Sequence, residues 1–162
     1  AASYWLAVQK GKGGRMITNT SITIFNGRMD KEERRMKYFP TVIRGVSYQE
    51  AKGATIASNG VWGENVNYKI RIPLVGSDIQ DKRLYMPCLE YAKLEDGEAP
   101  AYWTIKKGDL IVRGEHPGDP MYEDALNVYA RENSLDLIHV TEYADNTIGG
   151  SLYVRHYRIG GN

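Results

Sequence analysis

Alternation of apolar and polar residues dominates the chain from Met16 onward and predicts a succession of short β-strands. The clearest strand covers residues 66–72. Its apolar side carries Val66, Tyr68, Ile70 and Ile72, and its polar side carries Asn67, Lys69 and Arg71. Because a shift of one residue would exchange the two faces, the pattern predicts that the apolar set is buried and that the polar set is not.

Weaker forms of the same pattern predict the remaining strands. They are an early strand around Ile22 and Ile24 that ends at Asn26-Gly27, a second strand at 37–48, a hairpin of 102–106 with 110–113, and two final strands at 137–143 and 151–159. Residues 30–35 alternate in charge and are predicted to be a solvated loop or helical turn. Residues 76–100 are predicted to be a mixed loop region that meets a partner.

One helix is predicted, at about 121–132, where apolar residues recur at helical spacing. Asp119 is the candidate N-cap, and Pro120 would lie in the first turn. Several short strands with a single helix predict a mainly β fold, a small antiparallel β-barrel or sandwich. We expect one such domain over residues 16–162.

The first fifteen residues differ from the rest of the chain and predict an N-terminal arm over residues 1–15. An apolar stretch that contains Tyr4 and Trp5 precedes a basic, glycine-rich run, KGKGGR. A secretory signal has the opposite order, with its charges before the apolar stretch. We expect Trp5 to contact another part of the assembly; an upstream start codon is the alternative origin of these residues.

Composition limits the classes of protein that remain. The 162 residues, 42% hydrophobic and 25% charged, are typical of one globular domain. The longest apolar runs are only a few residues, so no contact with a membrane is expected. Cys88 is the single cysteine, which leaves no intramolecular disulfide and makes a reducing compartment the default. A net charge of +1 gives no whole-molecule attraction to nucleic acid.

The sequence contains no motif that points to catalysis, a cofactor or a metal. The run from Lys10 to Arg15 lacks the order of glycines, lysine and hydroxyl that a phosphate-binding loop needs. His116, His139 and His156 fall in separate segments without the spacing of zinc ligands. We therefore expect a protein that is not an enzyme and that needs neither metal nor cofactor.

Two basic sets are candidates for contact with a phosphate backbone. Lys69 and Arg71 project from the polar side of the clearest strand, and Arg34, Arg35 and Lys37 form the runner-up set. In a ring of identical subunits, either set would repeat into a basic collar that contacts DNA without reading its sequence. The alternative is that these side chains only keep a surface solvated.

The segment at 49–65 is rich in glycine and other small residues, and its apolar and polar positions show little periodicity. It is predicted to be a long loop. Our hypothesis is that this loop changes conformation and faces the channel of a ring or a neighbouring subunit. The candidate gating or interface residues are Lys52, Gly53, Asn59, Gly60 and Trp62, with Trp62 as the anchor. The alternative is an ordinary surface loop.

Several segments resemble a family of phage proteins. ITNTSITIFN and TVIRGVSY near the start, the predicted hairpin WTIKKGDLIVRG, and EYADNTIGGSLYVRHYRIGG near the end resemble head-closure (stopper) proteins of tailed bacteriophages and prophages. The resemblance covers roughly residues 16–161 and consists of strand and turn patterns. It implies a small β-barrel that forms a ring, commonly of six or twelve copies, below the portal and its adaptor.

This resemblance implies a structural component of the phage neck that helps to retain packaged double-stranded DNA and docks the tail. The implied partners are further copies of the chain, with six expected, the portal or adaptor protein, and tail proteins. The protein would assemble in the bacterial cytoplasm and remain in the virion. Trp5, Phe25, Tyr153 and Tyr157 are the predicted subunit-interface residues.

Two other functions stay open at this point. A tail-terminator or tail-completion protein of the same neck has a similar size and β content. A monomeric β-barrel that binds nucleic acid or carbohydrate would also suit a chain with twelve tyrosines.

Overall fold

The computed structural model describes residues 17–56 and 58–162. Ten strands lie in this part of the chain: β1 Thr20–Asp30, β2 Arg35–Ile56, β3 Trp62–Pro73, β4 Asp78–Ile79, β5 Leu84–Tyr85, β6 Tyr102–Trp103, β7 Leu110–Arg113, β8 Met121–Tyr122, β9 Ile138–Asn146 and β10 His156–Gly161. The helices are α1 Cys88–Tyr91 and α2 Glu123–Glu132, with single 3-10 turns at Gln80–Lys82, Ala99–Ala101 and Leu152–Val154.

Six of these strands form a closed antiparallel β-barrel, which confirms the predicted fold class. The order around the barrel is β1-β7-β9-β10-β3-β2, and β2 pairs with β1 to close it. Closure encloses the inner faces of the strands, and α2 covers part of their outer faces. The barrel wall therefore separates two cores, one inside and one outside.

The inner core confirms the predicted alternation in β3. Tyr68, Ile70 and Ile72 are buried in the barrel interior, and Val66 packs against the same cluster. Asn67 and Lys69, on the other face, are exposed, and Arg71 is half-buried. β3 pairs antiparallel with β2 on one side and with β10 on the other. Ile70 lies opposite Tyr48 and Ile159, so the apolar side chains of all three strands lie on the same face of the sheet.

The outer core lies between the barrel wall and α2. Phe25, Tyr38 and Val112 pack there against Leu126 of the helix. Phe25 is fully buried within one copy of the chain, so its predicted place at a subunit interface is wrong. The reason is that a strand covered on both sides buries both sets of side chains, and α2 supplies the second cover.

The predicted helix is confirmed in outline but begins later than expected, at Glu123 rather than 121. Met121 and Tyr122 instead pair with β2 as β8, and Tyr122 is the N-cap without a side-chain hydrogen bond. The predicted cap at Asp119 is therefore wrong. Glu123 and Asp124 in the first turn still place negative charge at the positive end of the helix dipole.

Two predictions near Asp109 are wrong, the strand end at Asn26-Gly27 and the pairing of 102–106 with 110–113, although the turn at 106–109 forms. The carboxylate of Asp109 organises the backbone in this region. It accepts hydrogen bonds from the backbone N–H of Gly27 at 3.0 Å and of Lys106 at 3.1 Å. β1 accordingly continues through Asn26-Gly27 to Asp30. The predicted hairpin of 102–106 with 110–113 does not form, since β6 pairs in parallel with β5 and β7 pairs with β1 and β9.

The predicted long loop at 49–65 is also wrong, because most of it is regular β-structure. β2 and β3 remain paired from Ser47–Arg71 out to Ile56–Trp62. The connection at the end of this hairpin spans only residues 57–61. These strands could not be recognised from the sequence because their side chains are mostly small or polar. A β-ladder is held by backbone hydrogen bonds, which form without an apolar pattern.

The region at 76–100 contains short elements that extend over one part of the barrel. Phe39 of β2, Tyr91 of α1 and Ala99 form a third buried cluster. Arg28 holds this segment in place, because its guanidinium donates hydrogen bonds to the carbonyl oxygens of Tyr91 and Leu94.

Candidate functional site

The polar face of β3 carries a cluster of three cationic side chains. Arg71 lies directly across from Arg158 of β10, and Lys69 is two residues further along β3 on the same face. Among the described residues, no carboxylate lies within ion-pair distance of these three side chains. The structure therefore supports the predicted exposure of Lys69 and adds Arg158 to the pair. We call Lys69, Arg71 and Arg158 the cationic face.

Sequence reasoning could not place Arg158 beside Arg71. Alternation marks Tyr157 and Ile159 as apolar and Arg158 as polar, but only the pairing of β10 with β3 makes the two arginines neighbours. Ser47 and Gln49 of β2 continue the same face, opposite Arg71 and Lys69. Exposed cationic side chains of this kind can contact phosphate oxygens, which carry no sequence information.

The runner-up basic set is engaged in contacts within the chain. The guanidinium of Arg35 lies 3.6 Å from the ring centre of Tyr122 and 3.5 Å from a carboxylate oxygen of Asp124. Lys37 approaches the same ring at 5.7 Å, and Arg34 is in the turn between β1 and β2. Lys37 and Gln49 are twelve residues apart on β2, roughly 40 Å along a strand, so the two basic sets do not form one patch.

The predicted gating residues lie on the hairpin formed by the outer parts of β2 and β3. Lys52 and Gly53 are in β2, Asn59 and Gly60 are in the connection, and Trp62 begins β3. The side-chain oxygen of Asn59 accepts a hydrogen bond from the backbone N–H of Val61 at 3.1 Å, which stabilises the turn. The side chain of Trp62 lies outside the described part of the chain, as do Trp5 and the whole arm at 1–15.

The end of this hairpin exposes apolar side chains that the sequence analysis did not single out. Ile56 is 59% exposed and Val61 is 60% exposed. Ile56 precedes the connection at 57–61 and Val61 is its last residue; this is the part of the hairpin furthest from the barrel. The sequence shows that these side chains are aliphatic, but their exposure could be predicted only once the hairpin was known.

An apolar rim lies at the opposite end of β3. Leu74 follows β3 and donates its backbone N–H to the carbonyl oxygen of Arg155 at 2.9 Å. The exposed members of this rim are Leu74, Val75, Leu84, Leu152, Tyr153 and Val154. Leu74 and Leu84 line one small cleft of about 260 Å³. A grouping of exposed apolar side chains is typical of a contact surface.

The two tyrosines that were predicted at a subunit interface have different environments. Tyr153 is 43% exposed and belongs to the rim. Tyr157 instead packs inside the chain, with its ring centre 4.4 Å from that of Tyr85 and 5.5 Å from that of Trp103. The interface role of Tyr157 stays a prediction, because the 84–103 segment leaves the side chain only half-buried and it lines the cleft beside Leu74 and Leu84.

A wide cleft of about 570 Å³ separates the hairpin from the end of α2. Glu50, Lys52 and Tyr68 line one wall, and Arg131 and Asp136 line the other. Both walls carry charges of both signs, so the cleft has no clear preference for an anion or a cation. We assign no ligand to it.

The one strongly perturbed carboxyl in the described chain has a structural role. Burial raises the pKa of Asp109 to about 6, although hydrogen bonds from Gly27, Asn26 and Lys106 act in the opposite direction. Asn26 also joins Asp109 to the backbone of Thr104, donating to its carbonyl oxygen at 2.6 Å. The carboxylate thus ties β1 to the turn before β7 and has no access to a substrate.

The histidines and the cysteine make local contacts. His116 lies 2.8 Å from the hydroxyl of Tyr129, and His156 lies 2.7 Å from the carbonyl oxygen of Val154. The thiol of Cys88 lies 3.5 Å from the hydroxyl of Tyr143. Within residues 17–56 and 58–162, no three metal-binding side chains converge, and neither helix has the length and apolarity needed to cross a membrane.

Comparison with known proteins identifies a family but no activity. No curated protein and no solved structure matches the chain significantly. One family model covers residues 17–162, which is nearly the whole chain and includes the barrel, the hairpin and the rim. The chain therefore belongs to the family described as a family of unknown function, DUF6751.

Proposed function

We propose that this protein is a non-catalytic structural component of the neck of a tailed bacteriophage. In this proposal it forms a ring between the portal or its adaptor and the tail, helps to retain packaged DNA and provides a surface on which the tail docks. The observation that carries the proposal is the arrangement of β3, which joins two exposed apolar features at opposite ends of one closed barrel.

The dimensions of β3 support a role between two neighbours. The strand runs for twelve residues from the hairpin end at Trp62 to the rim at Pro73. At the usual rise of a strand, its ends are roughly 40 Å apart. One molecule can therefore present the exposed Ile56 and Val61 to one partner and the apolar rim to another.

The cationic face supports contact with DNA in such a ring. Repetition of Lys69, Arg71 and Arg158 around a ring would place three positive side chains per copy on a common surface. Contacts of this kind neutralise phosphates and carry no sequence information. They suit DNA that is held in a channel and later moves through it.

The proposal is tested in purified particles. We expect a density map of the phage neck to contain a ring, most simply of six copies, into which the barrel fits, with the hairpin and the rim against different neighbours. A particle whose neck lacks this chain would overturn the proposal. A chain located at the end of the tail tube would replace head closure by the tail-terminator alternative.

A second candidate is a monomeric nucleic-acid-binding barrel, and the cationic face is the observation that favours it. The two functions differ in assembly. A monomer in solution that binds short oligonucleotides, together with absence from particles, would favour this alternative. A particle-bound ring with weak affinity for free oligonucleotides would favour the neck protein.

A further inference from the structure

The outer half of β2 has a free edge, and the hydrogen bonds of Tyr48 define its orientation. The side chain of Asn19 accepts from the backbone N–H of Tyr48 at 2.8 Å and donates to its carbonyl oxygen at 3.0 Å. Both backbone groups of Tyr48 therefore point away from β3. The backbone N–H and C=O groups of successive residues in a strand point to opposite edges. Every second residue beyond Tyr48 therefore points its backbone groups to the same free edge as Tyr48. These residues are Glu50, Lys52, Ala54 and Ile56.

The outer half of β3 has a free edge on the opposite side of the hairpin. β10 pairs with β3 only as far as Gly161, which lies opposite Tyr68. Leu74 donates its backbone N–H towards β10, so the even-numbered residues of β3 point to that side. Beyond Tyr68 these are Val66, Glu64 and Trp62, and no strand in the described part of the chain pairs with them.

We propose that the hairpins of successive copies join edge to edge, with β2 of one copy beside β3 of the next. This inference rests on the ring of the proposed function and adds the contact that would close it. In copies that all point the same way, β2 and β3 alternate in direction around the ring. Every new pair is then antiparallel, like the pair inside each hairpin. Such a head-to-tail contact closes into a ring and produces a second, larger β-barrel along the ring axis.

Several features of the hairpin suit this occupant. Exposed strand edges in soluble proteins are usually protected by proline, bulges or charged side chains, lysine above all. The segment from Gln49 to Ile56 contains no proline, and its one lysine, Lys52, lies 3.5 Å from the carboxylate of Glu50. The two free edges also have similar lengths and lie on opposite sides of the same hairpin. A second copy therefore matches both of them at once.

Rotational symmetry predicts which residues meet. Within the hairpin, Lys52 lies opposite Val66 and Ala54 lies opposite Glu64. A rotation about an axis parallel to the hairpin keeps equivalent residues at the same height. Lys52 of one copy would then lie opposite Val66 of the next. If the strands are tilted relative to the ring axis, Ala54 would lie opposite Val66 instead.

Disulfide cross-linking between different copies tests this contact in the full-length chain. In a Cys88→Ser background, copies with Lys52→Cys or Ala54→Cys are mixed with copies that carry Val66→Cys and allowed to assemble. We expect a covalent dimer after mild oxidation of at least one mixture. Each single-cysteine protein alone is the control and should remain uncross-linked, because a head-to-tail contact does not bring a residue next to its own equivalent.

The outcomes separate this inference from the proposed function. Cross-links in the Lys52→Cys protein alone would indicate a two-fold contact and would overturn the inference. An assembled ring without cross-links in either mixture would also overturn it, since another occupant such as residues 1–16 would cover the edge; the neck function would stand. A chain that remains monomeric when concentrated and in particles would contradict both the edge pairing and the ring.

Discussion

At the residue scale, two buried polar side chains join segments of the barrel that the strand ladders do not connect. Asp109 joins β1 to the turn before β7, and Arg28 joins β1 to the 91–94 segment. Asp109 accepts hydrogen bonds from the backbone N–H groups of Gly27 and Lys106, and Arg28 donates to the carbonyl oxygen of Leu94; strand and helix hydrogen bonds do not satisfy these groups. Loss of either side chain leaves those groups buried without partners, which costs more than the hydrogen bonds themselves contribute.

The first residue-scale prediction concerns the pH dependence of stability. The pKa of Asp109 is about 6 in the folded chain against an ordinary value of 3.8, because burial disfavours the charged form. The folded state therefore binds the proton more tightly. The associated stability is present below about pH 4 and is lost as the pH rises through 6, by at most about 3 kcal/mol.

This prediction is measured by urea unfolding of the wild-type protein and of Asp109→Asn between pH 4 and pH 8. The variant is less stable overall, because one amide nitrogen replaces an acceptor. The test is the difference in unfolding free energy, which should shrink as the pH rises. A difference that is independent of pH would show that Asp109 titrates at its ordinary value.

The second residue-scale prediction concerns Arg28, whose side chain is only 7% exposed. It contacts Tyr91, Leu94 and Asp96 and lies over the rings of Phe39 and Tyr91. Lysine keeps the charge but cannot reproduce the planar set of donors. We expect Arg28→Lys to lower the unfolding free energy by about 2–4 kcal/mol.

Arg113→Lys is the matched control for Arg28. Arg113 is exposed, and its guanidinium lies 5.3 Å from the ring centre of Tyr48. The loss should stay below about 1 kcal/mol. Equal losses in the two variants, measured by urea unfolding, would contradict the structural role assigned to Arg28.

At the element scale, a bulge at Gly45 lies where β2 changes its partner from β1 to β3. The register with β1 shifts between Val46 and Arg44, and Gly45 has a φ of +74°. Ile43 and Val46 both reach the inner core because the bulge changes the alternation between them. Without it, the outer half of β2 would turn its other face towards the barrel interior.

This arrangement predicts opposite effects for two glycines of the same strand. A Cβ at position 45 would lie 2.7 Å from the carbonyl oxygen of Gly76, and the backbone there is left-handed. We expect Gly45→Ala to cost about 2 kcal/mol or more. Gly53→Ala meets no atom within 4 Å and should stabilise the chain by up to about 1 kcal/mol.

Urea unfolding of the two alanine variants distinguishes the bulge from a general effect of glycine. Destabilisation confined to position 45 supports the bulge. Similar losses at both positions would mean that the left-handed backbone at Gly45 is not required.

At the scale of the whole molecule, the two basic sets provide a controlled test of DNA contact. Replacing Lys69, Arg71 and Arg158 by glutamine removes three charges from the cationic face. Replacing Arg34, Arg35 and Lys37 by glutamine removes the same number from the β1–β2 turn and the start of β2. The two triple variants therefore have equal net charge and differ only in the part of the surface from which the positive charges were removed.

We expect only the first triple variant to weaken binding of double-stranded DNA by the assembled protein. The loss should be similar for all sequences, and the dependence of affinity on salt should fall by about one unit per phosphate contact removed. Titrations at several salt concentrations provide the measurement. Equal losses in both variants would reveal a response to net charge alone.

Periodicity along the chain was sufficient to predict the class of fold and the faces of its most regular elements. β3 could be predicted to its register because its two faces differ completely, and α2 could be predicted because its apolar residues recur at helical spacing. Lys69 and Arg71 were found for the same reason, since cationic side chains opposite an apolar face are expected on the side that solvent reaches. These features depend on local periodicity, which a single segment contains in full.

Features that depend on contacts between distant segments could be found only in the folded chain. Phe25 looked available for an interface, yet the barrel wall and α2 bury it completely, and the 84–103 segment covers Tyr157 in part. The hairpin beyond Tyr48 had no periodic signal, because its ladder is made of backbone hydrogen bonds. Arg158 became part of the cationic face only through the pairing of β10 with β3. Burial and strand pairing are properties of two segments at once, so neither segment encodes them alone.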